Sequence, residues 1–218
     1  MQLYIYDHCP FCTKARMIFG IKQVPVALKY VLNDDVDTPT ALVGKKQVPI
    51  LVKEDGTAMG ESMDIVRYID AHYGATGTAL AGQTHPTIAE WIAQAMPLVV
   101  RLTMPRWIKL PLREFATEGA RRYFRHNKEE WIGESFDSAL AHSEVLVAEL
   151  HPHLAALAPL IASPDAVNGR LSEDDFTLFA TLRQLTAVKG LSFPPAVEAY
   201  VRHMALRTGV PLYTSVAL

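Results

Sequence analysis

The chain has little of three features that would assign it to a broad class. Of its 218 residues only two are cysteines, and its formal net charge is -2. No apolar run approaches the roughly eighteen residues that span a membrane. The charge leaves no basic excess to neutralise phosphates, which argues against a general nucleic-acid binder. Because residues 1–4 also lack the basic start of a signal peptide, we expect a soluble, cytoplasmic protein.

The two cysteines, Cys9 and Cys12, lie where a β-prone run over residues 1–8 gives way to a helix predicted over residues 14–19. Pro10 suits the first helical position because it has no N–H to leave unpaired. The first turn presents free N–H groups and the positive end of the helix dipole, which stabilise a thiolate at Cys9. Cys12 returns to the same face one turn later and can attack a mixed disulfide on Cys9.

Two other uses of the cysteine pair fit less well. A zinc site needs about four ligands, and the chain would have to add two histidines or carboxylates. A structural disulfide across two residues closes a small loop, which restrains little of the unfolded chain. The pair is therefore predicted to be redox-active, with no metal.

The first part of the chain is predicted to fold in the order β-α-β-α-β-β-α. A second strand is predicted over residues 26–32, a short helix over residues 39–43, and a hairpin from the apolar runs at residues 50–52 and 57–59 around a turn at residues 54–56. A last helix is predicted from Ser62 onwards. The residues predicted to cap or end the helices are Gly20, Asp37 or Thr38, Gly44, Ser62 and Gly74.

Two further features could complete a site beside the cysteines. Pro49 precedes an apolar strand, and the residues alone favour an ordinary trans bond at a strand start. Ser62 begins a helix whose free N–H groups could bind a carboxylate, while Glu61 could neutralise an ammonium group. The zwitterionic end of an α-amino acid meets both demands, although a capping serine and a solvated glutamate would look the same in isolation.

Three motifs in this order carry a resemblance to known proteins. They are Cys9-Pro10-Phe11-Cys12, Gln47-Val48-Pro49-Ile50 and Gly60-Glu61-Ser62-Met63-Asp64-Ile65. Together they resemble the glutathione-binding, thioredoxin-like domain of glutaredoxins and glutathione transferases. The chain as a whole resembles the two-domain bacterial glutaredoxins.

The resemblance implies how glutathione would bind. It implies a cis bond between Val48 and Pro49, with the main chain there pairing with the cysteinyl part of glutathione. It also implies that Glu61 and Ser62 hold the γ-glutamyl end. Gln47 is a candidate for the glycyl carboxylate.

Phe11, between the cysteines, and His8, directly before them, each bear on how the site would work. The family usually has tyrosine where this chain has Phe11, so apolar packing of glutathione is expected here without a phenol. His8 adjoins Cys9, and an imidazolium there would help the thiolate. Neighbours on an extended strand point apart, however, so His8 is expected to face away from Cys9.

The rest of the chain is predicted to be helical. Residues 74–83 contain three glycines and no charge, which indicates a linker. A helical segment is predicted from Pro86 through residue 112, kinked or broken at Pro97 and Pro105. An apolar helical stripe is predicted over residues 136–157, a capping box at Ser172, and a last helix from Pro195 to residue 207.

The predicted fold class is α/β plus all-α, like that of glutathione transferases. A thioredoxin-like glutaredoxin domain is expected over residues 1–74, a linker over residues 75–84 and an all-α domain over residues 85–218.

The expected function is that of a glutathione-dependent thiol-disulfide oxidoreductase that reduces glutathione mixed disulfides and protein disulfides, an electron-transport role. The alternatives are a cysteine-type glutathione transferase or dehydroascorbate reductase, and a non-catalytic, transferase-like regulatory binding protein. The expected partners are glutathione, as co-substrate, and glutathionylated or disulfide-bonded proteins. We expect a monomer with no nucleic-acid or membrane partner.

Overall fold

The first part of the chain forms a four-stranded sheet with helices packed on it. The computed structural model describes residues 1–74 and 77–218. The predicted order of elements over residues 1–74 is confirmed. These elements are β1 (Gln2–Ile5), α1 (Pro10–Ile21), β2 (Ala27–Tyr30), α2 (Asp37–Val43), β3 (Ile50–Val52), β4 (Ala58–Met59) and α3 (Ser62–His72).

The sheet places the end of β1 inside the fold. Its strand order is β2-β1-β3-β4, with β2 parallel to β1 and β3 antiparallel to it. Leu3 pairs with Leu28 on one side and with Leu51 on the other. Because β1 has a partner on both sides, the loop from β1 to α1 starts from a fixed position. β1 ends at Ile5, so it is shorter than the run predicted over residues 1–8.

The prediction that Gly20 ends the first helix was wrong. Helix α1 continues to Ile21, and Gly20 lies inside it. A Cβ atom at Gly20 would lie 1.9 Å from the backbone oxygen of Thr208, near the end of the chain. Glycine is needed here because two helices approach closely, not because the chain turns.

Two other predicted caps are displaced by one residue or more. Helix α2 begins at Asp37 after Val36, and the carboxylate of Asp35 accepts a hydrogen bond from the N–H of Thr38. Glu61, with φ of 62°, takes the N-cap position of α3, so Ser62 is the first helical residue and not the cap. The predicted ends at Gly44 and Gly74 are confirmed by φ values of 78° and 79°.

The second part of the described chain is helical, as predicted. Its helices are α4 (Pro86–Trp107), α5 (Glu118–Ile132), α6 (Phe136–Ala141), α7 (Ser143–Leu157), α8 (Glu173–Leu185) and α9 (Pro195–Thr208). Short 3-10 turns occur at Arg113–Phe115 and Ala158–Leu160. The predicted linker begins with residues 75 and 76, which lie outside the described residues.

Several helix boundaries predicted for this second part differ from the observed ones. Helix α4 passes through Pro97 and Pro105 without a break and ends at Trp107. The stripe predicted over residues 136–157 is two helices that meet at His142. Helix α5 was not predicted. The capping box at Ser172 is confirmed, with reciprocal hydrogen bonds to Asp175.

The two parts share one hydrophobic core. Helix α1 contacts α3 in the first part of the chain, the sheet domain (β1 to α3), and both α8 and α9 in the second part, the helical domain (α4 to α9). Ile18 and Phe179, from opposite sides of this boundary, belong to the same buried cluster. The sheet domain is therefore seated on the helical domain through the helix that carries the cysteines.

Candidate active site

Cys9 stands at the N-cap of α1, and the residue is partly exposed. Pro10 is the first helical residue, as predicted. A hydrogen bond from the Cys12 thiol contributes most to lowering the pKa of Cys9. Burial opposes this effect, whereas the charge of His8 and the backbone N–H groups of Cys12 and Phe11 add to it. The resulting pKa of about 6 leaves Cys9 mostly as thiolate at neutral pH.

Cys12 is fully buried beneath Cys9, and the two sulfurs are not joined by a disulfide. Burial raises the pKa of Cys12 well above its ordinary value, and the hydrogen bond and negative charge shared with Cys9 raise it further. The two cysteines thus have opposite properties. One is an accessible anion, and the other is a protonated donor behind it.

A cavity of about 660 Å³ opens beside Cys9 between the sheet domain and the helical domain. The sheet domain contributes Cys9, Phe11, Gln47 and Val48 of the predicted site residues. Phe11 is 56% exposed, so its ring is available to a bound molecule. The facing wall comes from α4 and α5 and includes Met96, Val100, Met104, Trp107, Tyr123, Asn127, Lys128 and Trp131.

The loop before β3 lies on the same side as Cys9. The Val48–Pro49 bond is cis, as the resemblance implied and contrary to the trans bond that the residues alone favoured. The amide of Gln47 packs against Gly60, where an added Cβ would lie 1.9 Å from the Gln47 Nε2 atom. Gly60 therefore keeps the loop close to the start of α3.

The start of α3 lies outside the walls of this cavity. Ser62 is buried at the first helical position, while the side chain of Glu61 is 66% exposed and lies 3.3 Å from Lys45 Nζ. Three of the predicted site residues do not line the cavity, namely Pro49, Glu61 and Ser62. Gly60, which precedes Glu61, packs against Gln47, and Gln47 does line the cavity.

We expected His8 to face away from Cys9, but the two residues lie on the same side. His8 follows the end of β1 and lines the same cavity as Cys9. Its Nδ1 atom lies 2.7 Å from Oε1 of Glu114, and its backbone N–H donates to the same oxygen over 2.9 Å. Glu114 belongs to the 3-10 turn after α4. No local signal in the sequence could have found it, because 106 residues separate the two partners.

Asp7 ties the same loop to the helical domain. Arg183 of α8 donates to the Asp7 backbone oxygen and to its carboxylate, each over 2.8 Å. The Tyr213 hydroxyl donates to the same backbone oxygen over 2.7 Å. Although burial opposes it, Arg183 and Arg16 hold the pKa of Asp7 below its usual value. The residue two positions before Cys9 is thus fixed by the other domain.

Among residues 1–74 and 77–218, no three or more His, Cys, Asp or Glu side chains converge as metal ligands would. Within the same residues no helix is both long and apolar enough to cross a membrane.

The sequence matches two family models. Residues 87–217 match "Glutaredoxin 2, C terminal domain", and residues 3–77 match "Glutathione S-transferase, N-terminal domain".

Individual proteins agree with these matches. The chain is 49% identical to glutaredoxin 2 of Escherichia coli K12 over 218 residues, which are all of both chains. A crystal structure of glutaredoxin 2 from Salmonella typhimurium in complex with glutathione superposes with a TM-score of 0.94 and 46% identity. That alignment covers 100% of this chain and 98% of the other. A glutathione transferase of Ceriporiopsis subvermispora, at 15% identity and a TM-score of 0.71, covers 95% of this chain and 98% of its own and shares the fold.

Proposed function

The chain belongs to the glutaredoxin 2 family and is a glutathione-dependent thiol-disulfide oxidoreductase, and from this premise we propose that Cys9 is its nucleophile. The observation that carries this proposal is a sulfur at a helix N-terminus, on a partly exposed residue, with a pKa of about 6, in the wall of a cavity. A thiolate, not a thiol, attacks a disulfide sulfur.

The reaction on a glutathione mixed disulfide has two exchange steps. The Cys9 thiolate attacks the glutathionyl sulfur, an S–S bond to Cys9 forms, and the substrate leaves as a thiolate that takes a proton. The thiolate of a second glutathione then attacks that sulfur, so that glutathione disulfide leaves and the Cys9 thiolate returns. Overall, the mixed disulfide and one free glutathione give the substrate thiol and glutathione disulfide, so one S–S bond is broken and one is formed.

Protein disulfides require the second cysteine. After Cys9 forms a mixed disulfide with the protein, Cys12 attacks the Cys9 sulfur and releases the protein as a dithiol. Two glutathiones then reduce the Cys9–Cys12 disulfide. The position of Cys12 one turn into α1, directly behind Cys9, supports this role.

We propose that glutathione lies along the sheet-domain side of the cavity. The Val48 main chain, next to Pro49, pairs with its cysteinyl part, and Gln47 binds the glycyl carboxylate. Ser62 and the free N–H groups at the start of α3 bind the γ-glutamyl carboxylate, while Glu61 pairs with the ammonium group. Phe11 packs against the tripeptide through its exposed ring. The contact between Gln47 and Gly60 supports this arrangement, because it brings the two halves of the groove together.

The wider setting is also part of the proposal. We propose that residues 1–74 are the glutaredoxin domain, residues 75–84 the linker and residues 85–218 the helical domain. The protein acts as a monomer in the cytoplasm and passes electrons from glutathione to glutathionylated or disulfide-bonded proteins.

Cysteine variants test the assignment of Cys9. Reduction of a small glutathione mixed disulfide is followed with glutathione reductase and NADPH. Cys9→Ser should abolish turnover because it removes the attacking sulfur. Cys12→Ser should keep this activity and lose reduction of a protein disulfide. Full activity of Cys9→Ser would refute the assignment.

A parallel assay addresses the alternative transferase activity. Conjugation of glutathione to an aromatic halide has no need of Cys12, so a transferase would be indifferent to its loss. We expect little conjugation and rapid mixed-disulfide reduction. A reversed ratio would favour the transferase, and inactivity in both assays would favour a regulatory binding protein.

A further inference from the structure

Glu114 has an unusual environment for a carboxylate. It is fully buried, although it belongs to a short 3-10 turn between α4 and α5. Its Oε1 atom receives the backbone N–H of His8 and lies 2.7 Å from the ring Nδ1. Its Oε2 atom is buried and is the one such side-chain oxygen or nitrogen with no hydrogen-bond partner among the described residues.

The charge states of Glu114 and His8 follow from these contacts. A buried carboxylate is very costly unless a cation neutralises it, and the ion-pair partner of Glu114 is His8. The proton of this short contact is shared between Oε1 of Glu114 and Nδ1 of His8. When it is on Nδ1, the ring is a cation that directly neutralises the buried carboxylate, whose Oε2 atom has no donor of its own.

The surroundings of the His8 ring also suit a cation. Aromatic rings lie on several sides of it, and their electron-rich faces attract a positive charge. Ring centroids of Tyr6, Phe115 and Phe124 lie 5.7, 5.0 and 5.1 Å from that of His8, and the centroid of Trp107 lies 6.0 Å away.

Few titratable groups face this ring. Tyr6 faces it from the β1 side and stays a neutral phenol, since burial and the nearby cysteine charges raise its pKa. Helices α4 and α5 face it with Trp107 and Phe124, which carry no charge. Glu114 and the Cys9 thiolate are therefore the anions that face the His8 ring, since the carboxylate of Asp7, one residue earlier, is paired with Arg16 and Arg183.

We propose that Glu114 is a positioning residue that holds His8 as an imidazolium beside Cys9, so that the helical domain supplies part of the charge that stabilises the nucleophilic thiolate. This inference rests on the proposed role of Cys9. The positive charge of His8 is already one of the causes that lower the pKa of Cys9. What Glu114 adds is the fixed negative charge that keeps the ring protonated and correctly turned.

Matched substitutions separate charge from shape. Glu114→Gln keeps the size of the side chain and the acceptor for the His8 backbone, and removes only the charge. His8→Asn keeps a donor near the Nδ1 position and removes the imidazolium. Glu118→Gln is the control, because this glutamate lies on the same part of the fold but is 63% exposed and pairs with Arg121.

The readout is the titration of Cys9 by thiolate ultraviolet absorbance and by the pH dependence of alkylation. The raised pKa of Cys12 keeps that thiol out of the same range. Glu114→Gln and His8→Asn should each raise the pKa of Cys9 by about one unit, a tenfold loss of thiolate well below the pKa. The double variant should show the shift of one substitution, not the sum, and Glu118→Gln should show none.

Three results would overturn the proposal. They are an unshifted Cys9 titration in a folded Glu114→Gln protein, a shift in Glu114→Gln without one in His8→Asn, and additive shifts in the double variant. If Glu114→Gln does not fold, nitrogen NMR of the unmodified protein decides. Protons on both ring nitrogens of His8 at neutral pH are expected, and a neutral tautomer refutes the idea. Because Cys9→Ser tests the nucleophile separately, failure here leaves that assignment standing.

Discussion

Replacing Cys12 with alanine should raise the pKa of Cys9 by a predictable amount. The thiol of Cys12 is the donor that contributes most to lowering that pKa to about 6. A hydrogen bond to a charged group contributes about 1.5–3 kcal/mol, and one pKa unit corresponds to about 1.4 kcal/mol. The pKa of Cys9 should therefore rise by about one to two units in Cys12→Ala. Cys12→Ser, which keeps an O–H donor of similar size, should shift it much less.

The effect is measurable at neutral pH. The thiolate fraction of Cys9 should fall from about nine-tenths to between about one-half and one-tenth in Cys12→Ala. Alkylation rates measured across a pH series give both the pKa and the reactivity of the thiolate. A Cys12→Ala protein that titrates like the unmodified one would refute the reasoning. The amide groups of α1 and the charge of His8 would then be sufficient without the second cysteine.

Three further predictions concern pH and the contact between the domains. The value of kcat/KM for a glutathione mixed disulfide should fall about tenfold per pH unit below about 6 and level off above it, because protonation removes the reactive form of Cys9; a flat pH profile would contradict this. Gly20→Ala should lower the free energy of unfolding by about 1–3 kcal/mol or more, since its methyl group would meet the Thr208 carbonyl, and an unchanged melting temperature would show that α1 and α9 can separate without cost. Arg183→Met should lower the free energy of unfolding, measured in urea, by about 3 kcal/mol. This is the low end of the range for a broken buried ion pair, because Asp7 keeps its second partner, Arg16. An unchanged free energy would mean that the pair with Arg183 contributes nothing to stability.

Features that depend on neighbours in sequence were predictable. The cysteine pair, the capping box at Ser172 and the order of elements over residues 1–74 each follow from a few consecutive residues, and the structure has them. The start of α1 at Pro10 belongs to this group as well. For these features the local sequence preference agrees with the final fold.

Features that depend on distant contacts were not predictable. A glycine at position 20 could either end the helix or leave room for another segment to pack closely against it. Only the position of Thr208 in the folded chain shows that the second reason applies. Helix α5 is strongly polar, and its buried face consists of only Ala120 and Phe124, so few apolar residues mark it in the sequence. Glu114 reaches His8 across 106 residues, a separation over which sequence patterns carry no information.

The coupling between the two sulfurs also determines when each one reacts. Burial raises the pKa of Cys12, and so do the hydrogen bond and the negative charge that come from Cys9. Once Cys9 is bonded to a substrate sulfur, it is no longer an anion, and both of these contributions disappear. Cys12 therefore becomes easier to ionise only after its partner has been used. In the proposed mechanism, Cys12 therefore stays protonated until Cys9 has formed a mixed disulfide, so the interaction between the two sulfurs determines which one reacts first.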